Sequence, residues 1–259
     1  ALSRLRLGPL ARVAALAAAA LAIGLLLAGG TWNGLSVMHE YAVRADNFWQ
    51  EAQQHVLLTL GSLGAAVAVG LPLGILCHHW QPLRAPTLQV LNLIQTIPSI
   101  ALFGILMAPL GYLAATFPLA AALGIRGIGA APAILALFLY SLLPVVANTV
   151  IGLRQVAPAA VDAARGMGMS QRQLLTEIEL PLALPVILTG IRIVLVQNIG
   201  LVTIAALIGG GGLGTFVFQG MGQTAMDLVL LGAAPTVALA FAAAVLLDAA
   251  VDLTRRGTA

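Results

Sequence analysis

The chain has 259 residues, of which 60% are hydrophobic and only 8% charged, against roughly 25% charged in an ordinary soluble domain. So few charges cannot coat a water-soluble globule, which excludes a soluble enzyme, a disordered chain and a coiled coil. An all-α polytopic membrane protein remains, solvated by lipid over most of its surface.

A helix that spans a bilayer needs about 20 mostly apolar residues. Six segments qualify, and in chain order they are 10–30, 55–77, 86–108, 128–152, 182–207 and 228–251. In the first, Arg4, Arg6 and Arg12 precede the apolar run, as in a signal peptide. Its apolar run is longer than the usual 7–15 residues of a signal core, and Gly29-Gly30-Thr31 is a poor cleavage site, so a retained helix is expected. Residues 1–50 form this helix and an outer loop, 51–252 the main membrane domain, and 253–259 a tail. Trp32, Tyr41, Phe48 and Trp49 flank the end of the first hairpin, a position that suits amphipathic rings at the headgroups.

All twelve basic residues are Arg, and the net charge is +3. They lie scattered between apolar segments and form no basic stripe, which argues against nucleic acid. With both termini in the cytoplasm, nine arginines fall in inside loops and two, Arg44 and Arg126, in outside loops, as the positive-inside rule requires. Cys77 is the single cysteine and the four histidines show no ligand spacing, so neither a disulfide nor a metal site is expected.

Two stretches interrupt the spans. Residues 108–127 contain Pro109, Gly111, Pro118, Gly124 and Gly127, which predicts an outer loop with a short helix. Residues 209–214 read GGGGLG. Gly209, Gly210, Gly211 and Gly212 cannot sustain a helix; they form either an outer turn or a hinge or gate where backbone packs closely.

The longest hydrophilic inside stretch is 153-LRQVAPAAVDAARGMGMSQRQLLTEIELP-181. Pro158 suits a first helical turn, and Asp162 lies early in that helix, favoured by its dipole. Gly166 and Gly168 stop it. Ser170 caps a second helix with Gln173 in capping-box spacing. Met167 and Met169 lie at the turn, either as a flexible apolar knob for a partner's groove or packed on the loop's own helices.

This stretch resembles the EAA loop of binding-protein-dependent ABC importer permeases: Asp162-Ala163-Ala164, then Gly168, Ile178 and Leu180-Pro181, with every spacing of the signature kept and Asp in place of Glu. Residues 95–106, 139–153 and 204–220 are similar to permeases for osmoprotectants such as glycine betaine and choline. The resemblance covers about residues 51–250. It implies a type I importer fold, with a five-helix core plus one N-terminal helix. It further implies that Asp162, Ala163, Ala164, Gly168 and Met169 contact a cytoplasmic ATPase dimer, and that a second permease subunit and an extracytoplasmic binding protein complete the assembly. The chain has no GxxxxGK[ST] loop; ATP would be bound by the partner, with no cofactor of the chain's own and no enzymatic activity.

A quaternary ammonium is held best by aromatic faces, and only 5% of the residues are aromatic. Selectivity is therefore expected in the binding protein. Gln95, Thr96, Asn148, Gln197 and Asn198 are polar residues within spans; they either line a pathway or bond across helices. Arg192 is costly inside a membrane, and Asp248 is its expected partner. An amino-acid permease, for methionine for example, fits the same motif. A secondary transporter would show internal repeats, which are not seen; a scaffold without transport does not account for the loop spacing.

Overall fold

The computed structural model describes residues 8–257, with side chains described to residue 254. Arg4 and Arg6 lie outside the described residues, as do the side chains of Arg255 and Arg256. Among the described residues every regular element is helical, and six helices are long and apolar enough to cross a membrane.

Helix α1 (Pro9–Ala28) begins on a proline at N1 and packs against the last helix, α12 (Met226–Gly257). A short helix, α2 (Ser36–Val43), leads into α3 (Ala45–His79). At 35 residues, α3 is about 52 Å long at 1.5 Å per residue, well beyond a hydrocarbon core of about 30 Å.

The centre of the bundle is α3 against α7 (Ala130–Arg154). Gly70 and Gly74 make this contact possible: a Cβ on Gly70 would stand 2.9 Å from Val145 Cγ1, and one on Gly74 2.6 Å from Thr149 Cβ. Small residues four apart let two helices approach closely, which is how helices associate where lipid removes the hydrophobic drive. Helix α10 (Leu180–Ala205) packs against both α7 and α3, with Gly190 against the Asn148 side chain of α7.

Two expectations are corrected here. The span predicted at 86–108 is broken. Helix α4 (Gln81–Thr96) ends at Ile97, and α5 (Ser99–Thr116) starts after Pro98. Proline disfavours the helical conformation of the residue before it, and Ile97 is extended, with φ −68° and ψ 127°. The membrane-length helix is therefore α5, which continues through Pro109 and Gly111 into the stretch predicted to be a loop. The apolar run 99–116 contains no charge to stop it, and an interior proline is tolerated in a membrane helix. A short helix, α6 (Pro118–Ala122), follows. The second correction is an additional helix, α11 (Gly214–Gln223), between the glycine run and α12. It lies close on α12 because Gly220 and Gly232 carry no side chain: a Cβ on Gly220 would come within 2.6 Å of Val229 N.

The hydrophilic loop folds as α8 (Pro158–Gly166), α9 (Gln171–Gln173) and a π-helical turn (Leu174–Glu179) that runs without interruption into α10. The glycine run follows α10 through a single 3₁₀ turn (Ala206–Ile208). The two loops therefore sit at opposite ends of α7 and α10.

Candidate functional site

The helix–turn–helix loop is locally self-supporting. The Ser170 backbone N–H donates to Gln173 Oε1 at 3.0 Å, and the Gln173 N–H donates to Ser170 Oγ at 3.3 Å, closing the expected capping box. Gly168 has φ +82°, a left-handed conformation open to glycine at little cost. Of the five signature residues only Ala164 is buried; Asp162, Ala163 and Gly168 are exposed and Met169 is half-buried, while the neighbouring Met167 is 70% exposed. The loop thus offers small residues, one carboxylate and one methionine to a partner. Glu179 ends the π turn and is buried, with Oε2 lacking any hydrogen-bond partner.

A second feature forms where α4 breaks. An open cavity of about 340 Å³ is lined by Gln95, Thr96, Ile97, Pro98, Ser99, Tyr140, Gln197 and Leu201. The Gln95 amide donates to the Tyr140 carbonyl at 2.7 Å, and the Tyr140 hydroxyl donates to the Ile97 carbonyl. The first meets a Tyr140 carbonyl that Pro144, four residues on in α7, has no N–H to satisfy, and the second meets the Ile97 carbonyl at the break itself; together they hold its shape. The structure therefore brings three of the span polar residues, Gln95, Thr96 and Gln197, to one cavity with no charged side chain in its lining.

Asn148 and Asn198 are not among the lining residues of that cavity. The Asn148 amide donates back to Pro144 O at 2.8 Å. Asn198 is fully buried; its amide donates to Ser62 Oγ at 3.0 Å and to Ser141 Oγ at 2.9 Å, tying α10 to both α3 and α7. Arg192 of α10 forms an ion pair with Asp248 of α12. One turn further along α12, Asp252 pairs with Arg12 of α1 at 3.0 Å.

The third feature is the glycine run. Gly209, Gly211 and Gly212 have φ of +75°, +75° and +89°. Its backbone is gripped by α3: the Gly212 N–H donates to Glu51 Oε2 at 2.5 Å, the Leu213 N–H to His55 Nδ1 at 3.3 Å, and the Gln54 amide to Gly210 O at 3.2 Å. Sequence reasoning found the glycines but missed Glu51, Gln54 and His55. A signal was present, since three hydrogen-bonding side chains at i, i+3 and i+4 open an otherwise apolar span.

The architecture matches solved transporters. A chain of the MetNI methionine ABC transporter superposes with a TM-score of 0.66 at 21% identity, covering 83% of this chain and 98% of that one. A chain of an amino acid ABC transporter solved with histidines superposes at 0.61 and 20% identity, covering 85% and 96%. The fold is that of type I ABC importer permeases.

Sequence comparison is more specific. The family described as binding-protein-dependent transport system inner membrane component matches residues 70–258, and a second family, the N-terminal domain of ABC transporter permease YehY, matches residues 1–38. The osmoprotectant import permease protein OsmW of Salmonella typhimurium is 43% identical over 182 residues, which are 70% of this chain and 79% of that protein. The choline transport system permease protein OpuBD of Bacillus subtilis is 37% identical over 82% of this chain and 87% of its own length. The carnitine transport permease protein OpuCB of Listeria monocytogenes is 36% identical over 75% and 82%. The chain belongs to the family of binding-protein-dependent transport system inner membrane components.

Proposed function

We propose that this chain is the membrane-spanning permease subunit of an ATP-driven importer for quaternary-amine osmoprotectants such as glycine betaine, choline or carnitine. The observation that carries this reading is the loop at 158–179. It is a capped, largely exposed helix–turn–helix with the spacing of the EAA signature, and it is continuous with a membrane helix. The relatives named for osmoprotectants, choline and carnitine supply the substrate class.

In this reading the loop faces the cytoplasm, and both termini lie on that side. Asp162, Ala163, Ala164, Gly168 and Met169 meet the ATPase dimer, which binds and hydrolyses the ATP. A second permease subunit faces this one, and a binding protein delivers substrate at the opposite end. Gln95, Thr96 and Gln197 line the pathway. Their neutral amides and hydroxyl suit passage, because weak binding lets the substrate leave. Asn198 holds helices together instead, and Asn148 bonds a carbonyl of its own helix.

The test is reconstitution with the partner ATPase and binding protein, followed by ATP-dependent uptake of betaine, choline, carnitine and methionine. Uptake of one or more quaternary amines is expected; uptake of methionine alone overturns the substrate class. Within the cavity, Gln197→Leu is expected to lower the uptake rate at least fivefold, with ATPase assembly unchanged.

A further inference from the structure

We propose that Glu51, Gln54 and His55 form a latch that holds the glycine loop 209–213 against α3, and that release of this latch is a step in transport. The proposal rests on the permease reading above.

The three side chains lie at i, i+3 and i+4 and so share one face of α3. The loop offers them almost nothing but backbone. Its hold on α3 consists of the Gly212 N–H to Glu51 carboxylate bond at 2.5 Å, the Leu213 N–H to His55 Nδ1 bond at 3.3 Å, and the Gln54 amide to Gly210 carbonyl bond at 3.2 Å. Glutamine 54 donates while Glu51 and His55 accept, so the grip uses both polarities of the loop backbone.

The imidazole completes a relay between elements. Its Nδ1 accepts from Leu213, so Nε2 carries the proton and donates to the Ile199 carbonyl of α10 at 3.0 Å. His55 is fully buried. It therefore reads two positions together: the glycine loop and α10, the helix that ends in that loop.

Side chains at the loop positions would crowd this approach and strain the left-handed backbone. A Cβ on Gly211 would stand 3.0 Å from Glu51 Oε2, and one on Gly212 3.2 Å from His55 Nδ1. Glycine also lets the backbone leave: three of the four residues adopt left-handed conformations, and glycine crosses between these and right-handed ones freely. Hydrogen bonds to a glycine backbone open by rotation about φ and ψ, and because Leu213 is buried beside Phe216 and Leu228 the released loop must repack as a second discrete state, which is what a two-state element needs.

Position supplies the other half of the argument. Residues Gln171–Ile208 form one helical run of 38 residues. A displacement of the EAA-like loop is transmitted along that run to the glycine loop at its far end. Nucleotide-driven movement at one end then competes with three hydrogen bonds at the other.

The experiment is hydrogen–deuterium exchange on the full complex in lipid nanodiscs, followed on the peptide that contains Gly212 and Leu213. In nucleotide-free wild type these amides are expected to exchange slowly, and vanadate trapping of the ATPase is expected to speed them at least tenfold. Glu51→Ala is expected to give fast exchange without trapping and to lower uptake per ATP hydrolysed at least tenfold. Glu51→Gln keeps an acceptor oxygen and is expected to restore both. Equal exchange in trapped and untrapped wild-type complex that transports substrate overturns the latch; that comparison needs no substitution and is immune to misfolding of a variant. Slow exchange in Glu51→Ala overturns it as well. A wild-type complex that hydrolyses ATP but takes up no substrate counts against the permease reading instead.

Discussion

Single residues in this molecule matter mostly through what they keep close. Asn198 illustrates the polar version. Its amide bonds two serines on two other helices, in a fully buried place. Cross-helix bonds of this kind average about 0.6 kcal/mol each in membrane proteins, so Asn198→Ala is expected to cost about 1 kcal/mol. Thermal unfolding in detergent should record a loss of a few degrees; an unchanged midpoint would mean the serines find other partners. Gly74 illustrates the apolar version. A side chain there meets Thr149 at 2.6 Å, and neither helix can retreat without losing its other contacts. Gly74→Leu is expected to abolish accumulation of folded protein, and Gly74→Ala to reduce it severalfold, as measured by size-exclusion chromatography after membrane extraction. Neither Asn198's partners nor the contact of Gly74 with Thr149 is legible in sequence, because both depend on which helices become neighbours.

Elements were legible where composition alone decides them. The long apolar runs gave α1, α3, α7, α10 and α12, and local rules gave α8 and the Ser170 cap, since a proline start, a glycine stop and a capping box need no tertiary information. The misplaced elements, α4, α5 and α11, are those where local signals conflict. Pro98 breaks a run that hydropathy reads as continuous, whereas Pro109 sits in a helix that turn chemistry reads as a loop. Apolar length and proline chemistry point in different directions, and the neighbouring packing settles each case. The same limit applied to the site. The glycine run was visible, but its grip by Glu51, Gln54 and His55 was not, because those residues lie more than 150 positions away in the chain. The charged pair between α10 and α12 is an element-scale bond, and its geometry yields a test. Asp248→Asn leaves Arg192 without its carboxylate, and an unpaired charge in a membrane helix costs about 2.5–3.5 kcal/mol on insertion scales. The yield of assembled permease is expected to fall several-fold. The exchanged pair, Arg192→Asp with Asp248→Arg, is expected to recover most of it; no recovery would show that the contact contributes nothing specific.

At the scale of the whole molecule the arrangement is a rod with a working surface at each end. The helical run Gln171–Ile208 has 38 residues and is about 57 Å long, enough to reach from the hydrophilic loop across the bilayer to the glycine loop. Between them lies the charge-free cavity at the α4–α5 break, and α7 braces the rod along its length. Such a build suits rigid-body switching between states biased by a ligand at one end. In the proposed function the loop is the input. Gly168 is exposed and left-handed, so any side chain there costs about 1 kcal/mol of backbone strain, and a glutamate adds a charge on the surface proposed to meet the ATPase. In the proposed function ATP hydrolysis by a partner drives substrate through this chain by way of that loop. The most direct test of this is uptake of labelled glycine betaine into proteoliposomes that contain the permease, the ATPase and the binding protein, comparing wild type with Gly168→Glu. Uptake is expected to require both ATP and the binding protein in wild type, and to fall at least tenfold in the variant, which still inserts in the membrane. Uptake driven by an ion gradient without the ATPase, or wild-type uptake by Gly168→Glu, would contradict it.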